Sequence, residues 1–179
     1  MRVISGKYRS RTLLEVEDKA TRSTKDRVKE ALFNALYPVS HYQDVLDLFA
    51  GSGALGIEAL SRGANKATFV EKSMNAYTIL KKNLDRLNIH AHTYHQDALS
   101  FLKEENKSYD LILLDPPYNM TLIDQALKMI HDKKLLQEAG RVVLLSHKDE
   151  SLGIPDAFNV IKSKPYGITN LKILEWRKS

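Results

Sequence analysis

The chain has no cysteine. That removes disulfides, thiolate nucleophiles and cysteine-ligated zinc at once, and it fits a reducing compartment. Long apolar runs are missing too. The most apolar stretches, Leu111–Leu114 and Val142–Leu145, hold four residues each, far short of the ~20 that cross a bilayer. They read instead as strands buried on both faces. Met1–Ser10 (MRVISGKYRS) lacks the apolar centre of a secretory signal, so a cytoplasmic protein without membrane association is expected. There is no serine elbow and no Walker loop, which leaves hydrolase and kinase readings unsupported. The six histidines (His41, His90, His92, His95, His131, His147) show no ligand spacing, so no metal is expected; His90 and His92 read as surface or edge residues. Repeats, low-complexity tracts and linkers are absent as well.

What remains is a chain of 179 residues, 43% hydrophobic and 27% charged, the profile of one globular domain. The net charge is +5, and its placement is uneven. Residues 1–30 carry nine Lys/Arg against five acids, leaving +4 there and +1 for all the rest. A concentrated basic segment on a near-neutral body suits a polyanion such as nucleic acid. On this ground Arg2, Lys7, Arg9, Arg11 and Arg22 are expected to bind nucleic-acid phosphates, and the segment is assigned to nucleic acid rather than to fold stability. The competing reading is a solvated terminus.

From Asp44 onward, strand-length apolar runs alternate with helix-length amphipathic stretches. The strands are expected at Asp44–Phe49, Ala67–Glu71, Ala91–His95, Tyr109–Leu114, Arg141–Ser146, Asn159–Lys164 and Leu171–Trp176. The helices between them are expected at Gly53–Ser61, Asn75–Leu87, Leu99–Lys103 and Leu122–Lys133. Such alternation implies an α/β fold with a parallel, doubly wound sheet. The last two strands are too close in sequence for a parallel crossover, so that pair should be antiparallel. Before Asp44, Arg2–Ile4 and Arg11–Val16 suggest a small hairpin. A helix over Lys25–Tyr37 follows, capped by Ser23 or Thr24, ended by Pro38, and apolar along Val28, Leu32, Ala35 and Leu36. The chain thus divides into a basic extension (1–43) and a core (44–179) of a single domain.

Two motifs carry chemistry. In Asp47-Leu48-Phe49-Ala50-Gly51-Ser52-Gly53, glycines at a strand–helix junction let the backbone approach a ligand beside free N–H groups. Gly51, Gly53 and Gly56 also match the dinucleotide fingerprint, with Glu71 where a ribose-binding acid belongs. A nicotinamide or flavin protein and an adenosylmethionine protein both fit this pattern. Asp47 favours the latter, since an acid there suits the cationic amino group of methionine better than a pyrophosphate. The second motif, Asp115-Pro116-Pro117-Tyr118, follows a buried strand at the edge where open α/β sheets bind ligands. Asp115 and the Pro116 carbonyl can both accept hydrogen bonds from an exocyclic amino group. They would turn its lone pair toward an electrophile, while Pro117 stiffens the loop and Tyr118 offers a face for a base. Asp97, with Ala98, follows the third strand, where it can meet an adenine amino group or simply cap a helix.

Over nearly its whole length the chain resembles the bacterial 16S rRNA guanine-N2 methyltransferases that modify guanine-966. The two site motifs are shared by many amino-methyltransferases. More specific is Arg22-Ser23-Thr24-Lys25-Asp26-Arg27-Val28-Lys29-Glu30-Ala31-Leu32-Phe33-Asn34, which is similar to the family's R-P-T-x-D-R-V-R-E-x-L-F-N. Ser23 stands where proline is usual. Arg2–Arg9 and Tyr166–Leu171 also resemble the family. The resemblance implies a Rossmann-like class I methyltransferase fold, a seven-stranded sheet with an antiparallel last strand, and S-adenosylmethionine as cofactor. It further implies, as partner, 16S rRNA or an assembling small ribosomal subunit, and Arg22 at the mouth of the site; a monomer is expected. The alternatives are an adenine-N6 or protein-glutamine methyltransferase, a nucleotide-binding oxidoreductase, and a non-catalytic RNA-binding assembly factor.

Overall fold

The computed structural model describes residues 1–17, 26–117 and 120–178. The first helix, α1, spans Asp26–Ala35. After it, strands and helices alternate: β1 (Asp44–Asp47), α2 (Ala54–Ser61), β2 (Lys66–Glu71), α3 (Met74–Arg86), β3 (His92–His95), α4 (Ala98–Glu104), β4 (Tyr109–Leu114) and α5 (Met120–Asp132). Three consecutive strands close the chain, β5 (Leu136–His147), β6 (Phe158–Tyr166) and β7 (Thr169–Trp176). No described helix is long and apolar enough to cross a membrane.

All seven strands form one sheet in the order β3-β2-β1-β4-β5-β7-β6. β1, β2, β3, β4 and β5 pair in parallel. β7 runs antiparallel to both of its neighbours, β5 and β6. This is the mostly parallel sheet with one reversed strand that the element pattern implies.

Strand side chains alternate between two apolar layers. Val45, Leu111, Leu113, Val143 and Leu145 join one cluster with Leu32 and Phe33 of α1, Ile57 of α2 and Leu80 of α3. Leu46, Val70, Ile112, Leu114, Val142 and Leu144 join the other with Phe101 of α4 and Leu127 of α5. Because both faces are covered, β4 reads as a nearly unbroken apolar run.

Four expectations need correction. β5 starts at Leu136, five residues before the expected Arg141. Its pairing with β4 shifts register between Tyr109 and Leu111, and the polar Gln137–Gly140 stretch hides it from an apolar-run reading. The Tyr109 N–H to Leu135 O bond (2.8 Å) and the Trp176 indole N–H to Leu136 O bond (2.9 Å) hold it in place. The N-terminal hairpin contracts to one antiparallel bridge, Arg2 to Thr12, extended by Val3 N–H to Arg11 O and Leu13 N–H to Met1 O. The first helix is shorter than Lys25–Tyr37, and Ala35 on its expected apolar face is exposed. Phe33 and Lys29 are buried instead. The candidate caps Ser23 and Thr24 lie outside the described residues.

Lys29 explains a fourth difference. It is fully buried, as is Glu58 of α2. Lys29 Nζ donates to Arg2 O at 2.8 Å and lies 3.5 Å from Glu58 Oε2. The same carboxylate accepts the N–H groups of Ile4 (3.0 Å) and Ser5 (3.1 Å), and Arg62 Nε at 2.9 Å. Three hydrogen bonds and an ammonium thus surround a buried carboxylate, the kind of surroundings in which such a charge is tolerated. Val3 and Leu13 are buried beside it. The basic arm is therefore built into the fold, contrary to the expectation that it serves RNA alone.

Candidate active site

Five parallel strands bring their carboxyl ends to one edge of the sheet. Along that edge, in spatial order, lie Asp97 just past β3, Glu71 ending β2, Asp47 ending β1, and Asp115 directly after β4. At ~4.8 Å between strands, the row spans ~14 Å. Chain topology alone converts four acids spread over 69 residues of sequence into one line.

Asp47, Glu71 and Asp115 are all buried. Asp47 Oδ2 accepts the Gly56 N–H at 2.9 Å. Its other oxygen, Oδ1, is buried and meets no hydrogen-bond donor among the described residues. Burial above all pushes the Asp47 carboxyl up to about 7. The charges of Asp115 and Glu71 add to this, against the lowering effect of the Gly56 N–H. Glu71 is also raised, again chiefly by burial, while the Lys72 and Ser73 N–H groups oppose the shift. Three carboxylates withdrawn from water and crowded together are an unfavourable arrangement for an isolated protein. They suit a ligand that brings hydrogen-bond donors or positive charge.

The loop between β1 and α2 is shaped by its backbone. Ala50 N–H bonds to Val70 O and Gly53 N–H to Ala50 O. Gly51 (φ 56) and Gly53 (φ 89) both have left-handed backbones. A Cβ on Gly53 would also stand 2.5 Å from Leu80 Cδ1, so only glycine permits this turn. A Cβ on Gly56 would stand 2.3 Å from the Phe69 ring, which is why the helix can pack so closely on the sheet. Ser52, half-buried, presents its carbonyl to Asn83 Nδ2 at 2.9 Å.

Asn83 is a residue the motif reading missed. Its amide lies buried on α3 and also exchanges two hydrogen bonds with the Leu14 backbone, at 2.8 and 3.0 Å. It therefore fastens both the glycine loop and the arm. The signal was an amide between Leu80 and Leu84, on the apolar stripe of an amphipathic helix.

Of the other expected site residues, Asp97 caps α4, accepting the Ser100 N–H at 3.0 Å, and its second oxygen lies 3.8 Å from Lys72 Nζ. Ala98 is buried at the first turn of α4. Pro116 is buried and Pro117 exposed. Tyr118 and Arg22 lie outside the described residues. Arg2, Lys7, Arg9 and Arg11 are exposed, but they are not at the acidic edge. The Lys7 and Tyr8 N–H groups are bonded to Ser61, at the far end of α2. Arg11 reaches Arg86 O, at the far end of α3.

The chain is 37% identical to the ribosomal RNA small subunit methyltransferase D of Haemophilus influenzae, across 98% of this chain and 93% of that protein. It is 34% identical to the Escherichia coli protein of the same name, across 93% and 85%. The solved structure of Escherichia coli yhhF matches with a TM-score of 0.89 at 31% identity, covering 100% of this chain and 99% of that one. The fold also matches the Thermus thermophilus 16S rRNA N2 G1207 methyltransferase RsmC, solved with AdoMet and guanosine: TM-score 0.66, 24% identity, 88% of this chain and 45% of that one. The family model for conserved hypothetical protein 95 matches residues 1–175, and the chain belongs to that family.

Proposed function

We propose that the chain methylates the exocyclic N2 amino group of a guanine in 16S ribosomal RNA, using S-adenosylmethionine. One observation carries the reading: a row of buried carboxylates, one with an unfilled acceptor, beside a glycine turn and the Asp115-Pro116-Pro117 turn. The donor set fits the cofactor. The unfilled Asp47 Oδ1 is placed for a cationic amino group, Glu71 for vicinal hydroxyls, and Asp97 with Ala98 for an adenine. The Gly51-Ser52-Gly53 turn supplies close backbone approach. Bound there, S-adenosylmethionine supplies an already activated methyl group.

The work left to the protein is positioning, and alignment of this kind supplies several kcal/mol (~7 or more in favourable cases). Asp115 and the Pro116 carbonyl accept from the guanine amino group and hold its nitrogen in line. Tyr118 stacks on a base taken out of its own stack. The N2 proton becomes acidic as the new bond forms, and Asp115 takes it or passes it to water. Ribosomal RNA as substrate follows from the relatives' names, and position 966 from the resemblance of the N-terminal helix. Arg2, Lys7, Arg9, Arg11 and Arg22 contact phosphates.

The test is to incubate the protein and labelled cofactor with ribosomal RNA, small subunits and DNA, then analyse the nucleosides. The reading requires N2-methylguanosine from RNA or subunits. Label in adenine, or only in DNA, would overturn it.

A further inference from the structure

The edge of the sheet opposite the acids carries a groove of about 710 Å³. Its rim is the start of β2 and the residues entering β3, where Lys66 pairs with Asp44 and His92 with Thr68. Its other wall is the N-terminal arm. Lys7, Tyr8, Lys66, Asn88, His90 and His92 line it, together with Asn65 and apolar residues, and no Asp or Glu does.

Three features make it more than a scatter of surface charge. Lys7, Lys66, His90 and His92 are exposed side chains brought together from the arm, β2 and the entrance to β3. The arm that carries Lys7 is fixed, because both the Lys7 and Tyr8 N–H groups are bonded to Ser61. Neither Lys7 nor Lys66 is in an ion pair with a described carboxylate. Lys7 Nζ instead sits 5.3 Å from the Tyr8 ring centre. The groove offers ammonium, amide and imidazole donors with no competing acceptor of full negative charge, the donor set that phosphate oxygens require.

We propose that this groove seats the phosphate backbone of the RNA substrate away from the reacting base. The proposal rests on the ribosomal-RNA reading above. β2 runs between the two sites, from Lys66 at the groove to Glu71 at the acidic edge, so they stand ~17 Å apart at ~3.3 Å per residue. One RNA therefore touches both ends of the strand. The target base enters at the carboxyl edge while a flanking segment lies along the arm, and the enzyme prefers folded RNA long enough to reach around the β3 edge.

The experiment compares two charge-matched double variants in binding a stem–loop RNA of about 30 nucleotides with an unpaired guanine, over a salt series. Lys7→Gln with Lys66→Gln removes two groove cations. Lys103→Gln with Lys134→Gln removes two exposed lysines from the α4/α5 side of the sheet. The groove pair should weaken RNA binding and make the log–log salt slope shallower by about 1.4–1.8, the loss of two phosphate contacts. The control pair should leave the slope as in the wild type. Melting temperature and cofactor affinity should stay unchanged in both. Equal slopes for the two pairs overturn the groove and leave the methyltransferase reading standing. A wild type that binds no stem–loop RNA overturns the groove, while the methyltransferase reading stands or falls on the nucleoside analysis. Intact RNA binding with lost action on assembled subunits gives the groove to a ribosomal protein, and overturns it as an RNA site.

Discussion

Asp47 gives one carboxylate oxygen to the Gly56 N–H, at 2.9 Å, and keeps the other buried without a donor among the described residues. The first contact ties the end of β1 to the opening turn of α2. The second oxygen is a buried acceptor that a ligand's donor would fill.

The ionisation of Asp47 should make cofactor affinity pH-dependent. Its carboxyl titrates at about 7 in the folded chain against an ordinary 3.8. Below 7 it is mostly neutral and a poor partner for a cationic amino group. Affinity should therefore fall as pH drops below about 7, by up to tenfold per unit. Binding at pH 7 should release protons, measured by calorimetry in buffers of different ionisation heat. The free protein should respond in the opposite sense. A raised carboxyl stabilises the fold fully below 3.8, and that contribution is lost as pH rises through 7. Denaturation of the wild type and Asp47→Asn across pH 4–8 should show the difference. Equal pH slopes would reject the assignment.

Glu71→Ala should weaken cofactor binding by roughly 1–3 kcal/mol, about 5- to 150-fold. The carboxylate is already oriented by the Lys72 N–H at 3.1 Å, so its loss removes an acceptor prepared for the ligand. Calorimetry that finds wild-type affinity would remove Glu71 from the site.

Asp115→Ala should lower the single-turnover rate by roughly 10²-fold or more, the scale of a lost positioning or proton-accepting group. Cofactor affinity should remain close to wild type. A variant that keeps its rate shows that the amino group is held by something else. At the neighbouring Tyr118, replacement by Phe should be mild and by Ala severe if the ring face stacks on the base.

Lys29→Met should destabilise the protein by about 3–5 kcal/mol, because it strips a fully buried carboxylate of its ammonium partner. Chemical denaturation measures this. Proteolysis should open the arm first, since the Glu58 anchor for Ile4 and Ser5 is the part disturbed. A loss below about 1 kcal/mol, the size of an exposed ion pair, would mean that Arg62 and the backbone suffice.

That last residue shows where sequence reading stopped. The sheet and its reversed strand were legible because buried runs and crossover lengths are local properties. The acidic row was legible because each acid follows its own strand. Lys29 is one of the nine cations of the basic segment, and a charge tally cannot see that Glu58, 29 positions away, waits for it inside. Lys7, Arg9 and Arg11 were placed in a binding role without a location. Only the anchoring of the arm on α2 and α3 puts them at the end remote from Asp115. Asn83 was hidden because an amide in a helical stripe acquires meaning only when its backbone partners, at Leu14 and Ser52, arrive from elsewhere.

The position of β7 has a consequence for synthesis. It is translated after β6, yet it lies between β5 and β6. While the ribosome is still making residues 169–176, β5 has no neighbour on that side and β6 has none at all. Domains generally assemble from the amino end as they emerge, but here two strands with exposed ladders must wait for the third. Pausing or premature termination in that interval would release a chain with the open edge of β5 exposed, a template for pairing with other nascent chains. The reversed strand thus makes the closing of the sheet wait until residues 169–176 have emerged.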